Sequence, residues 1–179
     1  MKSMHLPIAS CVLGLTLSGC SALQTAEPGT DDSCGALQQT IESYDTGFEN
    51  LRGKASNFNA LTLYRAKQEI VKGRCEIWAW ANTDSAYVCS LKAPDDEVAR
   101  KRFDTVSAQV SECLGPDWQS ETFERDRSGD DAGYGIRFTQ PGRDVVVSVH
   151  TVVITKGPGT KRSNDLYIGS LGRLANSAQ

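Results

Sequence analysis

Residues Cys75 to Lys92 read CEIWAWANTDSAYVCSLK, and the fold turns on this stretch. Its two flanks, Cys75 to Ala81 and Ala86 to Lys92, are rich in aromatic and β-branched residues, and Asn82-Thr83-Asp84-Ser85 between them supplies turn chemistry. The pattern predicts a β-hairpin. Two registers are open. One sets Cys75 opposite Cys89 and Ile77 opposite Tyr87; the other pairs Trp80 with Tyr87 and Trp78 with Cys89, separating the cysteines. Trp78 and Trp80, two residues apart, share a face of their strand, and Tyr87 is expected near them in either register.

Before the hairpin, Leu37, Ile41, Tyr44, Phe48 and Leu51 recur at spacings of four and three, which predicts a helix from about Ala36 to Leu51 with Asp32 or Ser33 as cap and Gly53 as stop. Leu61 to Val71 leans toward an extended conformation. After the hairpin, Pro94-Asp95-Asp96-Glu97 opens a second helix whose apolar positions Ala99, Phe103, Val106, Val110 and Cys113 step by four and three, and Gly115-Pro116 ends it. The remainder reads as strands at Trp118 to Glu124, Tyr134 to Thr139, Asp144 to Thr155 and Asp165 to Leu171, separated by Gly- and Pro-bearing turns. Within it, VVVSVHTVVI at Val145 to Ile154 is apolar on both alternating faces, as suits a central strand covered on both sides. The expected fold class is therefore α+β: two amphipathic helices packed as one layer on a mostly antiparallel sheet, in the order α-β(2-3)-α-β4. Helix followed by strands, twice over, hints at an internal pseudo-repeat.

The chain has 179 residues and six cysteines, at 11, 20, 34, 75, 89 and 113. One domain is expected, over residues 34–172, with a C-terminal tail at 173–179. The formal charge of −3, from 19 basic and 22 acidic residues, is too nearly neutral for an electrostatic nucleic-acid binder. Leu6 to Leu17 is an apolar run of about 12 residues, too short for a permanent span, which needs about 20. Preceded by Lys2, it reads as an export leader.

That leader ends in Leu17-Ser18-Gly19-Cys20, which resembles the lipobox of bacterial lipoproteins at every position. The resemblance covers only the first 20 residues. It implies removal of residues 1–19, diacylglycerol on the Cys20 thiol and an acyl chain such as palmitate on the new amine, so that the membrane is a partner through lipid. Two or three chains, at about 0.8 kcal/mol per buried CH₂, anchor a protein stably. By the same resemblance, Ser rather than Asp at position 21 implies transfer to the outer membrane, facing the periplasm. Ser21 to Ser33 (SALQTAEPGTDDS) reads as a flexible tether spanning about 20 Å. Cys34, Cys75, Cys89 and Cys113 then remain as an even set in an oxidising compartment. Antiparallel helices would bring Cys34 to Cys113, and the first hairpin register joins Cys75 to Cys89.

Catalytic and metal signatures are sparse. His150 is the one histidine beyond the leader, and Ser148 shares its strand face, with no nucleophile elbow nearby. The acids of the Asp126 to Gly133 loop miss the EF-hand pattern, and a single histidine with bridged cysteines leaves too few ligands for zinc, so no metal and no cofactor are expected. Arg100-Lys101-Arg102 reads as a solvated helix face. Trp78, Trp80 and Tyr87 either cover the core under the helices or form a binding patch for a protein or glycan. The sequence thus points to a lipid-anchored, non-enzymatic module that binds an envelope protein in assembly, secretion or inhibition and immunity. The alternative is a small envelope hydrolase built on Ser148 and His150 or the loop carboxylates.

Overall fold

The computed structural model describes residues 29–81, 83–127, 130–154 and 161–176. The leader, Cys20, most of the tether, the Gly157-Pro158-Gly159 turn, the side chains of residues 126–131 and the last three residues lie outside them.

Eight strands form one antiparallel sheet: β1 Arg52–Phe58, β2 Leu61–Ala66, β3 Arg74–Trp80, β4 Ser85–Ala93, β5 Gln119–Arg127, β6 Asp130–Thr139, β7 Val145–Ile154 and β8 Lys161–Ser170. Their order across the sheet is β1-β2-β3-β4-β8-β7-β6-β5, so two four-strand meanders meet along the antiparallel β4–β8 seam. Among the described residues the helices are few: α1 Ser33–Glu42, α2 Asp96–Leu114 and a short α3 Leu171–Asn176. The fold is thus largely β, and this overturns the expected two-layer α+β arrangement in the order α-β(2-3)-α-β4. Each half is one helix followed by four strands, so the pseudo-repeat is present at the level of topology.

The correction has two physical origins. β1 (RGKASNF) is an edge strand whose last five residues are exposed, so no buried face writes a period of two into its sequence. The first helix stops at Glu42, and no helix runs on to Leu51, because Gly47 and Phe48 both take left-handed φ angles of 62° and turn the chain between the two. Phe48 and Leu51 are nevertheless buried in the core, Leu51 from a single 3₁₀ turn at Glu49–Leu51. The apolar stripe reported burial correctly; its regular spacing was not helical.

Capping fixes both longer helices. Asp32 accepts from the Gly35 N–H at 2.8 Å and Asp95 from the Val98 N–H at 2.8 Å, while Gly115, at φ 75°, ends α2. Cys34 and Cys113 are bridged, joining the start of α1 to the end of α2, and the Gln38 side chain donates to the Cys113 carbonyl at 2.9 Å beside the bridge. α2 lies against β4, β7 and β8. Arg162 on β8 donates to Asp96 at 2.6 Å and Asn164 to the Ala99 carbonyl at 2.8 Å, so two buried polar residues of the sheet hold the first turns of α2.

The core on the helix side combines Leu37, Ile41, Phe48, Val110 and Leu114 with the inward residues of the sheet, among them Ile77, Tyr87, Val147, Val149, Leu166 and Ile168. Each such side chain contributes about 1.5–3 kcal/mol when fully buried. The hairpin adopts the register with Cys75 opposite Cys89 and Ile77 opposite Tyr87, and Cys75 and Cys89 are bridged inside this core. On the opposite face a smaller cluster of Ala86, Val88, Val146 and Tyr167 packs under Leu174 of α3. β7 is buried on both faces from Val145 to Thr151.

Candidate functional site

Registers decide which side chains can act together. With Ile77 opposite Tyr87, Trp78 and Trp80 point to the face away from α1 and α2, and Tyr87 points into the core. Tyr87 is fully buried, and its hydroxyl accepts from the Ile70 N–H at 3.2 Å and donates to the Gln68 carbonyl at 2.9 Å. Burial raises its pKa. Tyr87 is therefore a brace for the segment that crosses the core after β2, and it takes no part in a patch with the tryptophans.

The indoles have other neighbours. Leu63 lies directly opposite Trp78 and Leu61 opposite Trp80, and Phe58 of the edge strand lies opposite Leu61. Phe58, 56% exposed, and the half-buried Leu61, Leu63, Trp78 and Trp80 therefore form an apolar row across β1, β2 and β3. The two indole rings meet edge to face at 6.2 Å, and the Arg173 guanidinium of α3 sits 4.5 Å from the centre of the Trp80 ring while pairing with Asp84 at 2.8 Å. These tryptophans do not lie under the long helices. They rim the small cluster on the other face.

A second, polar row crosses the same face on the other half of the sheet. Ser148 and His150 alternate on β7, and their Oγ and Nδ1 atoms are hydrogen-bonded at 3.2 Å. Asp165 of β8 lies directly opposite His150, its Oδ2 3.9 Å from Nε2, and it accepts from the Ser163 hydroxyl at 2.6 Å. Phe123 of β5 lies on the other side of His150, with ring centres 6.4 Å apart. Gly135, opposite His150 on β6, makes that approach feasible: a Cβ there would stand 2.5 Å from the Phe123 ring and 2.7 Å from the His150 Cβ.

The electrostatics of the row follow from its burial. Ser148 is fully buried and His150 is 5% exposed. Burial, reinforced by the nearby Arg125 guanidinium, pushes the His150 pKa down to about 3, so the ring is neutral at physiological pH. Burial pushes Asp165 up, against the stabilising hydrogen bonds of Ser163 and Ser90 and the charge of Arg125. A histidine this weakly basic is a poor general base. The wiring also runs opposite to a serine hydrolase triad, in which Nε2 faces the serine and Nδ1 the aspartate.

Sequence reasoning placed Ser148 beside His150 but missed Asp165, Ser163 and Arg125. Strand alternation identifies same-strand neighbours, whereas these three depend on cross-strand registers that the sequence leaves open. Among the described residues no three His, Cys, Asp or Glu side chains converge as a metal site requires, and no helix is long and apolar enough to cross a membrane. No known protein family, curated protein or solved structure matches the chain.

Proposed function

We propose that this protein is a lipid-anchored lipoprotein of the cell envelope that acts as a non-enzymatic protein-binding module, with the Phe58–Leu61–Leu63–Trp78–Trp80 row as its contact surface. The observation that carries the reading is that row: five large apolar side chains in adjacent register positions, with Phe58 more than half exposed. Monomeric proteins rarely leave such a patch without use, and Trp is enriched among interface anchors. The Leu17-Ser18-Gly19-Cys20 motif supports attachment through Cys20, and the two disulfides suit an oxidising compartment.

Two measurements test this. An alkyne fatty acid fed to the native host labels the protein and co-fractionates with membrane, and Cys20→Ala abolishes both; labelling that survives the substitution overturns the anchor. A photocrosslinking residue at Leu63 captures a discrete envelope protein, whereas the same residue at Lys101 on the outer face of α2 does not. Equal capture from both positions overturns the contact surface.

The hydrolase reading has its own supporting observation, the Ser148–His150–Asp165 row. The burial of Ser148 and the weak basicity of His150 weigh against it. Covalent labelling of Ser148 by a fluorophosphonate probe in the folded protein would reverse that order.

A further inference from the structure

At the end of the sheet that carries the β3–β4 turn, a cleft of about 650 Å³ opens between the 45–52 connection and the 79–85 hairpin end. That volume is in the usual range for binding sites. Asp45, Glu49, Arg52, Trp80, Thr83 and Ser85 are among its lining residues. Asp45 and Glu49 are exposed at its mouth, and neither has an ion-pair partner among the described residues.

The cations close by are already engaged. Arg52 donates to the Gly47 carbonyl at 2.8 Å and lies over the Tyr64 ring, and Arg173 pairs with Asp84. Those contacts of Arg52 are with neutral groups and leave its charge in place, so among the lining residues two carboxylates, Asp45 and Glu49, face one guanidinium, a net charge of −1. The Tyr44 phenol reports the same field: its pKa is raised by burial first and then by Asp84, Asp144 and Asp45. The aromatic wall is of a kind that takes a cation, and the chain's own Arg173 lies over the Trp80 ring at 4.5 Å.

We propose that this cleft receives an arginine or lysine side chain of a protein partner, its charge met by Asp45 and Glu49 and its stem lying along Trp80. The proposal rests on the protein-binding reading, since Trp80 belongs both to the apolar row and to the cleft wall. It adds the chemistry of recognition: a partner whose contact segment pairs apolar residues with a basic one. Thr83, a β-branched residue held at a left-handed φ of 68°, shapes one wall of the cleft beside Trp80.

The test uses the folded protein and a short Gly-Ser peptide bearing arginines, with a glutamate-bearing peptide of the same length and chitotetraose as controls. The indole N–H signal of Trp80, assigned with Trp80→Phe, is followed during titration. Binding of the arginine peptide is expected to move it, to weaken with added salt, and to fall about three- to tenfold in Asp45→Asn/Glu49→Gln, whose exposed substitutions leave the core untouched. An equal response to the glutamate peptide, a response to chitotetraose alone, or unchanged affinity in the double variant overturns the proposal. The two readings separate in the crosslinking assay. If Leu63 still captures its partner from the double variant with undiminished yield, the cleft is wrong and the contact surface stands; if Leu63 captures nothing from either protein, both fall.

Discussion

Replacing His150 with glutamine should flatten the acid side of the stability profile. In the folded protein the His150 pKa is pushed from 6.5 to about 3. Between those values the unfolded chain binds the proton and the folded chain does not, so stability is fully present above pH 6.5 and drains away as pH falls through the window. The slope is about 1.4 kcal/mol per pH unit, so at about pH 5 the parent has lost about 2 kcal/mol on this account. Asp165 works in the opposite direction: its raised pKa lets the folded state take a proton first, which offsets part of the loss at the lower end. The difference between parent and H150Q over about pH 7 to 5 is therefore at most about 2 kcal/mol, a large share of the 5–15 kcal/mol typical of a domain. Urea unfolding at fixed ionic strength with disulfides intact, followed by tryptophan emission, gives the midpoints and slopes needed. His5, the other histidine of the chain, lies in the leader stretch and is treated identically in parent and variant, so it cancels. Parallel pH profiles for parent and variant would refute the buried neutral imidazole.

Three further outcomes follow from the packing. Cys34 is exposed whereas Cys75 and Cys89 are buried, so mild reductant followed by alkylation and peptide mass analysis should modify Cys34 and Cys113 first; labelling of Cys75 or Cys89 at the same dose contradicts the core placement. Tyr87→Phe leaves the Ile70 N–H and Gln68 carbonyl without their shared partner and should cost about 1–3 kcal/mol in chemical denaturation; no loss would mean that the segment after β2 is held by something else. Gly135→Ala drives a methyl group into the Phe123 ring and His150, and an overpacking cost of about 1–3 kcal/mol should appear in thermal unfolding, with Phe123→Leu restoring part of it.

How much of this was legible in the sequence depended on whether burial writes itself in apolar letters. The Cys75–Cys89 hairpin was readable because its strands are rich in aromatic and β-branched residues on either side of a polar turn, β3 alternating in burial and β4 buried from Ser85 to Cys89, and two registers were left open. α2 was readable for the same reason, with its acidic start and glycine stop. β1 was invisible because an exposed edge strand carries no alternation. The start of β8, Lys161 to Asn164, was missed for a different reason: Arg162 and Asn164 are buried but polar, and bond to Asp96 and to the Ala99 carbonyl. The same limit hid Asp165, a carboxylate whose role exists only once β7 and β8 are in register. The apolar row was half legible. Trp78 and Trp80 declared a shared face, but which face, and the company of Leu61, Leu63 and Phe58 rather than Tyr87, required the neighbouring strands.

The β4–β8 seam has a consequence for how the chain reaches this structure. Tyr87 pairs with Ile168 across it, a separation of 168 − 87 = 81 residues, whereas every other pairing in the sheet joins strands consecutive in the chain. Each meander can zip locally, but the seam closes a long loop and belongs to the slow, high-contact-order part of folding. Until β8 has been synthesised, β4 presents Val88 and Cys89 along an open edge. The first half is then an unfinished sheet with a sticky margin, and β8 is the strand that seals it.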